Sequence, residues 1–139
     1  MLGLKSIETV TKEAVWFEYR QNNSGGSFVT NDDVSIYVLI QADDRVSANQ
    51  KAEEVGIYFN GVSNGRDCGC CGDRWSKPWD ELEEFSVYSW TGKGGSRKIY
   101  DNVLDYAQAL ADGYMRAKKG KPSVIVYFIN GVKQAFYKK

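Results

Sequence analysis

The sequence predicts an α+β domain in which a mainly antiparallel β-sheet carries one short and one long helix. Several short stretches alternate apolar and polar residues, which is the two-residue period of half-buried strands. One stretch nearer the C-terminus has apolar residues at helical spacing, and a hairpin pattern follows it. The sequence lacks the βαβαβ alternation and the phosphate-loop motif that are typical of Rossmann-like nucleotide-binding units.

Alternating aromatic residues predict the first strand, from Lys12 to Arg20. Val15, Phe17 and Tyr19 fall on one face of this strand. The loop that follows, Gln21 to Gly26, is rich in amides and glycines and therefore offers many hydrogen-bond donors. On its residues alone, this loop fits either a ligand-binding loop or a simple hairpin turn.

The next part of the chain predicts a central strand and a short helix. Phe28 to Thr30 is a candidate short strand, and Val34 to Gln41 is a nearly continuous apolar run that suits the centre of a sheet. Ser47 is the predicted N-cap of the short helix, which Gly56 ends. Ile57 to Phe59 then returns as a strand or an extended segment.

The second half of the chain contains the predicted long helix. Phe85 to Trp90 alternates as a strand does, and Gly92 to Gly95 is predicted to be a flexible loop. The long helix is predicted from Asn102 to Lys119, with Lys118 and Lys119 favourably placed near its negative C-terminal end.

The C-terminal residues predict a hairpin. Its strands are Val124 to Ile129 and Lys133 to Tyr137, joined by Asn130-Gly131 as a type I′ turn. Without an internal repeat or linker, the whole chain, residues 1–139, is predicted to form one domain.

Composition and charge exclude several classes of function. The chain has 18 basic and 18 acidic residues, a formal net charge of zero, so binding of long nucleic acids through a polycationic surface is not expected. No apolar run approaches the roughly 18 residues that a membrane span needs. The N-terminus also lacks the apolar core of a signal peptide, so we expect a cytoplasmic protein without a membrane partner.

The chain contains no histidine. This removes the usual general base near neutral pH and the commonest metal ligand. The paired carboxylates of the sequence fit solvated surfaces better than acid–base catalysis. We therefore expect a protein that is not an enzyme and has no catalytic residue and no cofactor.

Three cysteines lie close together at Cys68, Cys70 and Cys71. A structural zinc site would need a fourth ligand, from Asp67, Asp73 or a partner subunit, and the spacing is not a standard zinc signature. The favoured interpretation is a loop whose thiols are buried and reduced, with no metal. A zinc-stabilised protein-interaction module remains the alternative function, and a redox or nucleophilic role is a third.

Arginines near aromatic residues favour a small polar ligand. One guanidinium group can bind two phosphate oxygens through parallel hydrogen bonds, and it can also stack on a base. The arginines in question are Arg20, Arg66, Arg74 and Arg116. Aromatic faces for a nucleobase are available at Phe85, Tyr88, Trp90 and Tyr100. Each arginine alone is also explained as a surface charge, and each aromatic residue alone as part of the core. The prediction of a small polar ligand therefore depends on the whole set.

Four segments together resemble one phage family, the first type of Thoeris anti-defence protein. They are VWFEYRQNNSGGSF, KAEEVGIYFNGV, DCGCCGDRW and YDNVLDYA. The resemblance spans most of the chain, from Val15 to the C-terminal hairpin. Members of this family are sponges that act against bacterial immunity based on TIR enzymes.

The resemblance implies a function without chemistry. The family binds and sequesters glycocyclic ADP-ribose, the cyclic ADP-ribose isomer that TIR enzymes make, and some members also hold cyclic oligonucleotides. It implies a decorated immunoglobulin-like β arrangement, a homo-oligomer (dimer or hexamer) with pockets at subunit contacts, and a location in the host cytoplasm. The missing histidine agrees with a binding protein that has no catalytic group.

The resemblance also implies where the ligand binds. For the main pocket, Phe85 is the expected stacking residue, Asn102 the ribose or base contact, and Arg116 the phosphate contact. The family has more than one arginine on its long helix, whereas this chain offers only Lys118 and Lys119 besides Arg116. The residues expected at a second pocket are polar or basic: Gln21, Asn22, Asn23 and either Arg66 or Arg74.

Overall fold

Six strands, two α-helices and one 3₁₀ turn, Ser24–Gly26, make up the regular structure of the described residues. The computed structural model describes residues 14–114 and 116–139, with the backbone alone at 90 and 91. The elements are β1 Val15–Arg20, β2 Tyr37–Ala42, α1 Arg45–Glu54, β3 Phe85–Thr91, β4 Gly94–Tyr100, α2 Val103–Gly113, β5 Val124–Tyr127 and β6 Lys133–Phe136. The predicted α+β class, with two helices and mostly antiparallel pairing, is confirmed.

The strands form a four-stranded sheet and a separate hairpin. The sheet has the order β1-β2-β5-β6, and β3 pairs with β4 in a second, two-stranded sheet. Neighbours in the sheet are antiparallel except β2 and β5, which run parallel, Tyr37 opposite Val124. A parallel pair needs a long crossover connection. Between β2 and β5 the chain forms α1, the β3–β4 hairpin and α2, together with residues 66–75, which we call the cysteine segment.

Both faces of the sheet are covered. One face packs against α1 and Trp75, and the other packs against α2 and the β3–β4 hairpin. Alternate residues of β2 enter different clusters, Val38 and Ile40 on the α1 side and Leu39 on the α2 side. A strand buried on both faces has a continuous apolar sequence, which is why the sequence predicted β2 as central.

The helix boundaries differ from the prediction. Asp44, not Ser47, caps α1, since its carboxylate accepts from the Ser47 backbone N–H at 2.8 Å. The helix α2 ends at Gly113, and Tyr114 is already extended. Arg116 therefore lies beyond the helix, and the prediction of a helix that continues to Lys119 is wrong.

Other short elements also differ from the prediction. Residues 28–30 and 57–59 are irregular rather than strands. The predicted flexible loop Gly92 to Gly95 contains only a tight turn, and Gly94 and Gly95 begin β4. A Cβ at Gly95 would overlap the present position of the exposed Tyr88 ring, so the glycine allows close cross-strand packing and does not indicate a loop.

The C-terminal hairpin is present, but its turn is not type I′. That turn requires positive φ at both central residues, and Gly131 adopts it (95°) whereas Asn130 does not. The Gly131 N–H donates to the Phe128 carbonyl at 3.0 Å, and the Phe128 N–H donates to the Val132 carbonyl at 2.8 Å. The connection is therefore a longer loop closed by a left-handed glycine.

The length and apolarity needed to cross a bilayer are found in neither of the two α-helices of the described chain.

Removal of the α2 cap is expected to destabilise the fold. Asn102 accepts from the Asp105 backbone N–H at 2.9 Å, so Asn102→Ala should lower the free energy of unfolding by about 1 kcal/mol in urea titrations. Asn102→Ser retains a capping oxygen and should lose much less. Equal stability of Asn102→Ala and the parent chain would contradict the cap.

Candidate functional site

Two adjoining cavities lie where β1 and α2 end. Their volumes are about 200 Å³ and 390 Å³, and Phe28 and Arg116 line both. We call them together the basic groove, after the residues that distinguish its lining. These are Arg20, Arg116, Lys118 and Lys121 among the cations, Gln21, Asn22 and Asn23 among the amides, and the rings of Phe28 and Tyr114.

In the part of the chain that the structure describes, the four cations of the basic groove have no carboxylate within ion-pair distance. None of them takes part in the ion pairs found between described residues. All four side chains are exposed, and Arg20 lies over the Tyr37 ring with 5.6 Å between guanidinium and ring centre. Positive charge that is not paired among the described residues attracts anions to the groove.

An aromatic pair forms one wall of the basic groove. The rings of Phe28 and Tyr114 meet edge to face, with centroids 6.0 Å apart and an interplanar angle of 86°. The Tyr114 hydroxyl is buried and has no hydrogen-bond partner among the described residues. Desolvation raises the pKa of Tyr114, against the charges of Arg116 and Arg20, so the hydroxyl remains a donor at neutral pH. A buried hydroxyl without a partner is costly, and an oxygen acceptor in the groove would satisfy it.

A polar cluster lies behind Arg20 on the same face of β1. The Tyr106 hydroxyl of α2 donates to the half-buried Glu18 carboxylate. Desolvation raises the pKa of Glu18 above its ordinary value of 4.5, although the Tyr106 bond and the charge of Arg20 oppose the rise. The carboxylate nearest in sequence to Arg20 is thus already bonded to α2.

Arg74 holds the loop that forms the edge of the basic groove. Its guanidinium donates to the Ser24 carbonyl at 2.9 Å, the Ser27 carbonyl at 2.8 Å and the Gln21 side chain at 2.9 Å. It also donates to the Tyr58 hydroxyl at 3.2 Å. With only 12% of its side chain exposed, Arg74 is a structural centre.

Asp67 completes this centre from the cysteine segment. Its carboxylate accepts from the Tyr58 hydroxyl at 2.5 Å and from the Arg74 backbone N–H at 2.8 Å. Desolvation alone would raise the pKa of Asp67, but these two bonds and the charge of Arg74 outweigh it and lower the pKa.

The structure brings together four of the predicted site residues, Gln21, Asn22, Asn23 and Arg116, in one cavity. The Gln21 side chain is buried and bonds Val29, Ser35 and Arg74, so its hydrogen-bonding groups are used within the protein. The Asn22 amide donates to the carbonyls of Cys71 and Asp73.

The remaining predicted residues lie elsewhere. Phe85 packs against Tyr106 with ring centroids 5.4 Å apart, and Asn102 caps α2. Neither lines the basic groove, so the structure does not unite them with Arg116. Arg66 is exposed and stacks on Tyr58 with 3.7 Å between guanidinium and ring centre.

Sequence reasoning did not select Phe28, Tyr114 or Lys121, although these residues line the basic groove. The sequence places Phe28 in a candidate short strand, and Tyr114 falls within the helix predicted from Asn102 to Lys119. One signal was present in the sequence, because the segment Met115 to Lys121 places four cations within seven residues after an aromatic residue. The sequence does not show that these cations lie close to Arg20, because that proximity depends on the tertiary fold.

The cysteines lie at the surface rather than inside. Cys70 and Cys71 are exposed and Cys68 is partly exposed, so the expectation of buried thiols is wrong. Hydrogen bonds from Cys70 and Cys71 lower the pKa of Cys68 to about 7, and the same interactions raise the pKa of Cys70 to about 11.

Arg74→Ala is expected to destabilise the protein by about 3 kcal/mol in urea unfolding. It leaves the carbonyls of Ser24 and Ser27 without their donor and the Asp67 carboxylate without its ion-pair partner. Arg66→Ala is the matched control: it removes a nearby but exposed arginine and should cost less than about 1 kcal/mol. Similar losses in the two variants would contradict the central role of Arg74.

Glu18 is expected to make stability depend on pH. Since its folded pKa lies above 4.5, the folded state holds the proton more tightly, and the free energy of unfolding falls as pH rises through this window. Glu18→Gln does not titrate, so its stability relative to the parent should increase from about pH 4.5 upward and then level off. Urea titrations across pH test this, with the exposed Glu53→Gln as control. A difference that does not change with pH, or that falls, would contradict it.

Comparison with known proteins places the chain in one family. A family profile described as "Domain of unknown function (DUF7296)" matches residues 14–139. No curated protein and no solved structure shows a significant match. The match covers nearly the whole chain, and the protein therefore belongs to the DUF7296 family.

Proposed function

We propose that this protein binds and sequesters a small anionic ligand of the nucleotide class without converting it. One observation carries the proposal. Four cations without ion-pair partners among the described residues line the same groove as an aromatic pair and a buried, unpartnered Tyr114 hydroxyl.

The groups of the basic groove match the parts of a nucleotide. Arg20 and Arg116 are suited to phosphate or pyrophosphate oxygens, which guanidinium groups bind in pairs. The Phe28 ring offers an apolar surface for a base. Asn23 makes no side-chain capping bond in its own turn, so its amide is placed to bond ribose hydroxyls. The larger cavity, about 390 Å³, falls within the roughly 300–1,000 Å³ of small-molecule pockets.

Sequestration is favoured over catalysis by the chemistry of the lining. The described residues that line the basic groove include no carboxylate, thiol or imidazole. Arginine and lysine cations stabilise negative charge, and a tyrosine with a raised pKa donates a hydrogen bond. A general base for neutral pH is missing from this set.

The family resemblance gives a narrower form of the same proposal. The ligand would be glycocyclic ADP-ribose, or a cyclic oligonucleotide, and the protein would be a phage counter-defence sponge in the host cytoplasm. Cyclic ADP-ribose isomers combine an adenine, two riboses and a pyrophosphate, which are the parts that the groove is suited to bind. A homo-oligomer, dimer or hexamer, belongs to this narrower proposal.

Substitutions at the basic groove test the location of binding. The probe is the cyclic ADP-ribose isomer made by a TIR enzyme, and native mass spectrometry measures its binding. Arg116→Ala and Arg20→Ala should each weaken binding about 10- to 150-fold, the loss of a charge-assisted contact of about 1.5–3 kcal/mol. Arg66→Ala, a matched arginine outside the groove, should bind like the parent.

Asn102→Ser distinguishes the groove from the pocket first expected at α2. It preserves the cap, so the groove predicts unchanged affinity, whereas weakened binding together with normal binding by Arg116→Ala would contradict the groove. Denaturing the loaded protein tests sequestration. Release of intact ligand supports it, and release of an altered ligand would show catalysis.

A further inference from the structure

The three cysteines form a compact sulfur cluster on the surface. The sulfur atoms of Cys68, Cys70 and Cys71 all lie within 4.8 Å of one another. The Cys68 and Cys70 sulfurs are 2.9 Å apart, and those of Cys70 and Cys71 are 4.0 Å apart. Adjacent side chains usually diverge, so this convergence must come from the backbone.

A tight turn produces the convergence. The Cys71 and Gly72 N–H groups both donate to the Cys68 carbonyl, at 3.2 Å and 3.0 Å. Gly72 leaves the turn with a φ of 90°, a conformation that glycine adopts without strain. The turn therefore brings the sulfur atoms of all three cysteines close together on one side of the segment.

Contacts from the loop after β1 fix this turn at both ends. The Cys68 N–H donates to the Ser24 hydroxyl at 3.1 Å, and the Asn22 amide donates to the Cys71 carbonyl at 2.8 Å. Arg74 holds both partners, since its guanidinium donates to the Ser24 carbonyl and its carbonyl accepts from the Asn22 N–H at 2.8 Å. The three sulfurs are thus brought together before any ligand arrives, which lowers the entropic cost of binding one.

The cluster is composed of sulfur alone. Within the described residues, the group that meets metal-ligand spacing contains these three cysteines and no carboxylate. Asp67 is engaged by Tyr58 and Arg74, and Asp73 accepts from the Val62 N–H at 2.9 Å. Thiolates select soft metal ions and disfavour Mg²⁺ and Ca²⁺, which require oxygen ligands.

We propose that Cys68, Cys70 and Cys71 bind one thiophilic d¹⁰ cation per chain, of the class that includes Zn²⁺ and Cu⁺. Because Cys70 and Cys71 are exposed, the ion would face solvent, and Zn²⁺ would take water as its fourth ligand. Each protonated thiol releases its proton as its sulfur–metal bond forms, and no electron is transferred. The site is separate from the basic groove and does not depend on nucleotide binding.

Metal titration of the full, reduced, metal-free chain tests the proposal. Cd²⁺ is the optical probe, because thiolate ligation gives an ultraviolet charge-transfer band, and Zn²⁺ and Cu⁺ are then added as competitors. We expect saturation at one Cd²⁺ per chain and displacement by at least one competitor. No charge-transfer band, or half an ion per chain, would overturn the single-chain site.

Variants identify the ligands. Serine at any one of the three cysteines should weaken Cd²⁺ binding more than about 100-fold, since even outer-shell changes cost about 10–100-fold. Asp73→Asn is the matched control and should retain the parent affinity, because its amide oxygen still accepts from Val62. A loss at Asp73 equal to that at the cysteines would overturn the all-sulfur assignment.

A second measurement covers variants that fail to fold. In the parent chain, bound Zn²⁺ or Cu⁺ should protect all three thiols from a thiol-specific reagent, whereas Mg²⁺ should protect none. Unchanged thiol reactivity with saturating Zn²⁺ and with Cu⁺ would overturn the proposal without any substitution.

Discussion

The position of the candidate sites depends on the guanidinium of Arg74. It joins the loop after β1, through Gln21 and the carbonyls of Ser24 and Ser27, to the segment that contains Asp67. A charged group with so little exposure is tolerated only when its donors are paired, so these two segments must come together as a unit. The loop then presents Phe28 to the basic groove on one side and supports the cysteine turn on the other.

This arrangement reverses the interpretation of the amide-rich loop. Its side chains suggested a ligand platform, but the amides of Gln21 and Asn22 bond to the protein itself. Gln21 is buried, so its polar groups must be satisfied within the protein, and the exposed Asn22 amide bonds the carbonyls of Cys71 and Asp73. The groups left for a ligand are Arg20, Arg116 and the Tyr114 hydroxyl, which lie beside the loop, and Asn23 from the loop itself. The loop therefore shapes the groove more than it recognises a ligand.

Local sequence patterns predicted individual strands and the C-terminal hairpin. They did not predict features that depend on contacts between segments far apart in the sequence. Periodicity was sufficient for β1, β2, β3 and the C-terminal hairpin, because each buries a face that its own residues define. The helix α2 ends at Gly113, although the stronger stop signals in the sequence, Gly120 and Pro122, follow Lys119. Arg20 and Arg116 meet at one groove only because β2 and β5 pair in parallel, and no short-range pattern encodes that pairing. The sequence offers the three cysteines as possible zinc ligands, but the convergence of their sulfur atoms depends on the turn at Gly72, which their spacing does not show.

The zero net charge of the chain conceals an uneven distribution. Equal numbers of acidic and basic residues argue against a generally cationic surface, yet the basic groove gathers cations from the end of β1 and from the segment after α2. Gathering like charges without carboxylates opposes folding through repulsion, which water and salt reduce at exposed positions. An arrangement with that cost, beside a buried hydroxyl that has no partner among the described residues, is explained if an anion occupies the groove. A bound anion would neutralise the cations and also accept a hydrogen bond from the Tyr114 hydroxyl. The same physical reasoning makes the groove, rather than the amide loop, the centre of the proposed function.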